Sequence, residues 1–254
     1  WSRLGSKVTV IEYAERIVPN MDIEISKQFQ KILIKQGIDF KLSTSFKKIN
    51  NKNGKLHVLI ETQQGQTSEI SCDKVLISIG RKPYTFGLNL EAVGIETDER
   101  GFIKTLNNFQ TSVSNIYAIG DCKLGPMLAH KASEEGTALA EILVGQAGHI
   151  NFDTIPSVVY TSPEVASVGK TEEELKEANI NYKVGKFPFT ANAKAKVMHA
   201  TEGFVKILSD ASSDKVLGVH MIGADVGNMI AELALAMEFG ASAEDIARTC
   251  HAHP

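Results

Sequence analysis

Apolar and polar positions change rhythm repeatedly along the chain. Lys7-Val8-Thr9-Val10-Ile11-Glu12 is a nearly unbroken β-branched run of strand length, the pattern of a parallel strand covered on both faces. The period then becomes helical. Ile25, Phe29, Ile32 and Leu33 stand at i, i+4, i+7 and i+8, Asp22 is placed to cap the start, and Gly37 is placed to stop the helix in a left-handed turn. A second strand at 38–42 completes a βαβ unit, whose crossover is expected to be right-handed. Residues 46–72 alternate around Leu56-His57-Val58-Leu59-Ile60, with turn signals at Asn53-Gly54 and Gln64-Gly65, and predict an antiparallel meander.

Apolar runs at 75–79 and 115–121 predict two further strands, the first ended by Gly80-Arg81-Lys82-Pro83. A helix follows with Ala132, Gly136, Leu139 and Leu143 on one face, before Gly145 and Gly148 end it. From about residue 151 the pattern is antiparallel again. Strands are expected at 157–160, 164–169, 182–189, 203–209 and 215–222, with a short helix over 171–178 between them. A long helix from about Asp225 keeps Val226, Met229, Ile230, Leu233 and Met237 on one stripe. The fold class expected is α/β, becoming α+β in the C-terminal part, where an antiparallel sheet is joined by helices.

Composition narrows the field of functions. The 254 residues carry 27 Lys and Arg against 30 Asp and Glu, a net charge of −3 without basic clusters, which gives no footprint for nucleic acid or for an anionic membrane surface. No apolar stretch approaches the ~20 residues of a spanning helix, and the N-terminus has no signal or transit pattern. Three scattered cysteines make neither a disulfide framework nor a metal cluster and suit a reducing compartment. Cys122 and Cys250 read as small core residues. The chain begins at Trp1 without an initiator Met and stops at His253-Pro254, so both ends are expected to lie inside something longer.

Some positions could carry chemistry. Glu12 closes the first strand, where an open α/β sheet presents its strand ends to ligand. An acid there accepts hydrogen bonds from an adenosine ribose and repels a 2′-phosphate, the alternative being a solvated acid at a strand end. Gly80 either lets a cofactor approach its backbone or is only a turn residue. Asp121 either accepts from sugar-like hydroxyls or forms an Asx turn. Met127-Leu128-Ala129-His130 opens a helix whose free N–H groups offer partial positive charge to an electron-rich atom, as any helix start does. His251 and His253 lack a third ligand partner, so no metal site is expected. Pro254 pushes His253 out of the helical region, leaving an acid or base at a cleft or a plain surface imidazole.

These pieces occur in order: Val8-Thr9-Val10-Ile11-Glu12, Ile79-Gly80-Arg81-Lys82-Pro83, Asn115-Ile116-Tyr117-Ala118-Ile119-Gly120-Asp121, Gly125-Pro126-Met127-Leu128-Ala129-His130-Lys131-Ala132, Pro156-Ser157-Val158-Val159-Tyr160-Thr161-Ser162-Pro163-Glu164-Val165, Gly185-Lys186-Phe187-Pro188-Phe189 and Cys250-His251-Ala252-His253-Pro254. The whole series resembles the dihydrolipoamide dehydrogenase family of flavoprotein pyridine nucleotide-disulfide oxidoreductases. The resemblance implies FAD and NAD as cofactors, with Glu12 on the adenosine ribose of NAD, Phe46 touching adenine by its backbone and Gly80 at the nicotinamide side. It places Asp121 on the flavin ribityl chain and Met127, Leu128, Ala129 and His130 around the isoalloxazine. It makes His253 the base that takes a proton from dihydrolipoamide at the other subunit of a homodimer.

The family's relay runs from the substrate dithiol to an enzyme disulfide, then to FAD, then to NAD. Its partners are lipoyl domains of 2-oxo acid dehydrogenase complexes. The redox cysteine pair, both Gly-rich phosphate loops and the Glu that would orient His253 match nothing in this sequence, so the chain is expected to be a fragment that does not turn over alone. The expected division is 1–80 for the end of an NAD domain, 81–150 for a returning FAD segment and 151–254 for an interface domain. A bacterial cytoplasm is the expected location, with the mitochondrial matrix as alternative. Other functions left open are another flavin-dependent disulfide reductase and a non-catalytic dimerisation module.

Overall fold

The structure, a computed structural model, describes residues 1–253; Pro254, expected to hold His253 out of a helix, lies outside the described residues. The chain forms two compact units, Trp1–Val75 joined by Asp153–Pro254, and Leu76–Phe152. Helices and sheets are mixed in the way the α/β and α+β expectation requires.

In the first unit, strand β1 (Val8–Ile11) pairs in parallel with β2 (Ile38–Lys41), and helix α1 (Ile23–Lys35) connects them. The boundaries of α1 have local causes. Asp22 accepts a hydrogen bond from Glu24 N–H at 3.0 Å, and Gly37 takes φ +90 just past the end. β1 is only half-buried, a difference from the doubly covered strand its sequence suggests, because it lies in a two-stranded sheet. The meander is present as β3 (Thr44–Lys52), β4 (Lys55–Thr62) and β5 (Thr67–Cys72), with reversals at Asn53-Gly54 and Gln64-Gly65.

The same unit holds a five-stranded antiparallel sheet in the order β6-β7-β10-β9-β8. Its strands are β6 (Ser157–Val159), β7 (Glu164–Gly169), β8 (Tyr182–Pro188), β9 (Phe204–Asp210) and β10 (Val216–Gly223). Alternation sends Ala166, Val168, Val219 and Met221 to one face, where Val226, Ile230, Leu233 and Met237 of α5 (Val226–Glu238) cover them. Val165, Phe204 and Ile222 meet Ile25, Phe29 and Ile32 of α1 in a second core. Helices therefore cover the sheet on both sides, which explains why β10 is apolar almost throughout. Met229, placed on the stripe of α5 by its spacing, lies at the rim, 41% exposed.

A buried ionic junction ties α1 to this sheet. Lys206 of β9 donates to Asp22 at 2.9 and 3.1 Å and to Glu172 at 2.6 Å. Glu172 begins α3 (Glu172–Glu177), whose Thr171 and Glu174 form a capping box. His220 of β10 is fully buried nearby, with Nε2 3.0 Å from the Lys170 carbonyl. Two short helices, α4 (Ala193–Val197) and α6 (Ala243–Arg248), escaped the sequence reading because each is too brief to establish a period. Ser242 and Asp245 nevertheless make a capping box that marks the start of α6.

The second unit is built differently. Its main element is helix α2 (Ala129–Leu143), and Ile95, Ile103 and Ala118 form a small core. The strands expected at 75–79 and 115–121 are not formed. Residues 75–79 find no ladder partner among the described residues and stay in the open, Ile79 being 90% exposed. Around 115–121 only the Gln110–Tyr117 bridge forms, because Gly120 at φ +70 turns the chain into a 3-10 turn over Gly120–Cys122. Cys250, read as a core residue, is exposed, since it follows α6 where the chain leaves the packed sheet. Cys122 is half-buried, its Sγ donating to the Ile119 carbonyl at 3.1 Å, and burial pushes its thiol above the ordinary value. Among the described residues no helix is long and apolar enough to cross a membrane.

Candidate functional site

In the first unit, Glu12 follows β1 and is pinned by its main chain. Its N–H donates to Lys41 at 2.9 Å, and its carbonyl accepts from Thr44 N–H at 3.0 Å. The carboxylate is held too, because Oε1 accepts from Ala14 N–H at 2.8 Å. The second oxygen remains for a hydroxyl donor, the donor pattern of a ribose. Phe46 lies two residues beyond Thr44 on β3, opposite Ile60, where a bulge follows. It is half exposed, so Glu12 and Phe46 share the start of β3 as an accessible edge.

In the second unit, one guanidinium gathers the candidates. Arg81 Nη1 donates to Asp121 Oδ2 at 2.8 Å, and Nη2 donates to the Met127 carbonyl. Gly80, the residue before Arg81, has φ +100 with open space where a side chain would point. Thus Gly80, Asp121 and Met127 are drawn together. Leu128 caps α2 with no side-chain hydrogen bond, and the first turn, from Ala129 and His130 onward, carries no acid. The dipole at that end of the helix offers partial positive charge to an electron-rich ligand atom.

Behind this surface lies a cluster that the sequence reading missed. Glu135 accepts from Gly120 N–H at 2.6 Å and from Lys123 Nζ at 3.0 Å, while Lys131 Nζ sits 2.9 Å from the same carboxylate oxygen. Burial pushes the Glu135 carboxyl up, but Lys131, Gly120 N–H and Lys123 outweigh it and hold it below the ordinary value. The i, i+4 spacing of Lys131 and Glu135 on α2 was the available signal. Arg81 carried no signal beyond its place in the Gly80-Arg81-Lys82-Pro83 turn, since its partners are 40 and 46 residues away.

The terminal histidines separate in role. His251 places Nε2 2.7 Å from Glu232 Oε1 and Nδ1 2.7 Å from the Thr249 carbonyl. Two acceptors favour the doubly protonated ring, and the Glu232 carboxylate, followed by that carbonyl, raises its pKa. His253 is exposed. A cavity of about 750 Å³ in the second unit is lined by Lys123, Phe109 and Phe152 on the side of α2 that carries Ile142, and does not include Asp121 or residues 127–130.

The donor set suits a ligand that carries hydroxyls beside an electron-rich ring. Asp121 is a half-exposed carboxylate, the start of α2 has no side-chain cap, and a buried ammonium lies behind both.

Comparison with known proteins agrees along the whole chain. Residues 1–136 match the pyridine nucleotide-disulphide oxidoreductase family, and residues 155–254 match the dimerisation domain of the same family. The chain is 54% identical over 257 residues to human mitochondrial dihydrolipoyl dehydrogenase, covering 100% of this chain and 50% of that protein. It is 52% identical over 255 residues to the mitochondrial dihydrolipoyl dehydrogenase of Pisum sativum, covering 100% and 51%. Pseudomonas putida dihydrolipoyl dehydrogenase 3 is 52% identical over 255 residues, covering 100% and 54%. Among solved structures, the HOCl-induced flavoprotein disulfide reductase RclA of Escherichia coli superposes with a TM-score of 0.88 at 28% identity, covering 100% of this chain and 57% of that one. LpdA of Mycobacterium tuberculosis gives a TM-score of 0.90 at 25% identity, covering 100% and 55%. The chain spans about half the length of the curated relatives it matches. On its pattern, its geometry and these matches, the chain belongs to the pyridine nucleotide-disulphide oxidoreductase family.

Proposed function

We propose that the chain is part of a dihydrolipoyl dehydrogenase, which oxidises dihydrolipoamide on lipoyl domains of 2-oxo acid dehydrogenase complexes. The observation that carries the reading is the Asp121 carboxylate joined through Arg81 to the uncapped start of α2. More than half identity to dihydrolipoyl dehydrogenases along the entire chain supports it. When bound, FAD supplies the acceptor for the electron pair of a dithiol, and NAD supplies the final hydride acceptor.

The residues of this chain divide the remaining work. Asp121 accepts hydrogen bonds from the ribityl hydroxyls, and Met127, Leu128, Ala129 and His130 bring the positive end of the α2 dipole to the ring. Glu12 accepts from the adenosine ribose of NAD with its remaining oxygen and repels the 2′-phosphate of NADP. Phe46 offers backbone beside adenine, and Gly80 offers backbone without a side chain at the nicotinamide side. His253 takes the thiol proton of dihydrolipoamide bound at the neighbouring subunit, because a thiolate attacks a disulfide and a thiol does not. Residues 1–80 serve the nucleotide side, 81–150 the flavin side and 151–254 the homodimer interface, the last supported by the dimerisation match. Relatives include a bacterial form and mitochondrial forms, and a bacterial cytoplasm is the proposed location with the mitochondrial matrix as alternative.

The test assays the full-length parent with dihydrolipoamide and NAD in the presence of FAD. His253→Gln is expected to lower the rate by orders of magnitude with folding intact, and an unchanged rate removes His253 from the reaction. A second reading, another flavin-dependent disulfide reductase, draws on the likeness to RclA. Turnover of a different disulfide while dihydrolipoamide stays inert selects it.

A further inference from the structure

The proposed reaction leaves the cluster behind Asp121 without a task. Lys123 and Lys131 share one carboxylate, Glu135, so two cations face one anion. Glu135 has a side-chain exposure of 0% and Lys131 of 1%. Lys131 Nζ is within ion-pair reach of Glu135 but off the axis of a hydrogen bond, and its ammonium has no hydrogen-bond partner. A buried cation that is neither hydrogen-bonded nor fully neutralised is costly, and such groups cluster where a charge is to be stabilised.

The direction of that charge is readable. Lys131 is the third residue of α2, so it stands at the positive end of the helix dipole. Its Cε lies where a Cβ on Gly125 would come within 2.9 Å, under the segment leading to Met127. The nearby groups do not cancel it. Asp121 is paired with Arg81, the Cys122 thiol is held protonated by burial, and Glu135 is shared with Lys123. Glu135 also holds the Gly120 N–H, so the turn that carries Asp121 is fastened to the helix it faces.

We propose that Lys131 and Glu135 are positioning residues for the flavin: Glu135 clamps the Asp121 turn to α2, and the one surplus positive charge, on Lys131, favours the reduced, anionic ring over the oxidised neutral one. This rests on the flavoenzyme reading above. Reduction adds an electron pair and one proton to the ring, leaving an anion at neutral pH. A fixed buried cation under the segment leading to Met127 would therefore favour product over reactant and raise the reduction potential.

The test uses the full-length parent with FAD bound, the flavin potential being read by anaerobic titration of its visible absorbance and folding by the melting temperature. Lys131→Met is expected to lower the ratio of reduced to oxidised flavin affinity about tenfold, or roughly 30 mV for a two-electron couple. Glu135→Gln keeps the volume and an oxygen for Gly120 N–H while increasing the surplus, so the potential moves the other way. A scaffold role loosens the turn in both variants and moves both in one direction, or in neither, and either result overturns the inference. Should Lys131→Met fail to fold, Lys123→Met removes the same surplus from a less buried position and must also lower the potential. An unmoved potential there overturns the proposal as well. A parent that retains no flavin would sink the flavoenzyme reading itself, whereas a flavin-bearing parent with misdirected shifts would sink only this inference.

Discussion

The two units spend their apolar residues in opposite ways. In the first, a sheet receives α5 on one face and α1 on the other, and its central strand is buried almost end to end. In the second, Leu76, Ile77, Ile79, Tyr84, Phe86 and Leu88 are exposed and the core reduces to a few side chains around Ile103. Strand propensity is comparable in both. What differs is the supply of ladder partners, because a β-branched run without a neighbour leaves its N–H and C=O groups to water. In the second unit, cohesion near the flavin candidates comes from charge, through Glu135, Lys123 and Lys131, rather than from packing.

The contrast breaks most sharply at Lys206. Replacing it with Met leaves Asp22 and Glu172 without their shared cation and should cost about 3–5 kcal/mol in urea unfolding of the first unit. A loss below about 1 kcal/mol would mean that the junction is decorative. Next, Leu208→Ala, fully buried in β9, should cost roughly 2–5 kcal/mol, with Ile103→Ala near the bottom of that range because its small core can collapse around the gap. Equal costs would erase the distinction between the units.

Acid should act through the same junction. Lys176, then Lys206 and Tyr182, hold the Glu172 carboxyl at about 2, below its ordinary 4.5. For Asp22, burial works upward but is outweighed by Lys206, so its carboxyl is also held down. Groups depressed on folding contribute stability that is complete above the ordinary carboxylate value and fades as pH falls through the folded one. The urea midpoint of the first unit should therefore drop between about pH 4.5 and 2, and Lys206→Met should flatten that drop. The smallest effect belongs to the exposed run. Ile79→Ser should stay within about 0.5 kcal/mol, and amides of 76–79 should exchange freely while those in the middle of α2 are protected.

Legibility in the sequence follows the same divide. The strands of the first unit and the three long helices, α2 of the second unit included, were readable because each shows its period, and their ends fall within a few residues of the expectation. The strand reading failed at 75–79 and 115–121, where an apolar run says nothing about the presence of a partner or about Gly120 turning the chain. Asp22 was readable as a helix cap. Its second partner, Lys206, lies 184 residues away, and no local pattern announces such a contact. The clustering of Gly80, Asp121 and Met127 around Arg81 was likewise hidden in tertiary geometry, although each motif was visible by itself.

Glu12 has a consequence of its own. One of its oxygens is spent on the Ala14 amide, and its main chain is stitched to Lys41 and Thr44. In the proposed nucleotide site an arriving molecule would therefore meet a single fixed lone-pair face instead of a swivelling carboxylate, and the choice between hydroxyl and phosphate would be prepared as the chain folds rather than decided at each encounter.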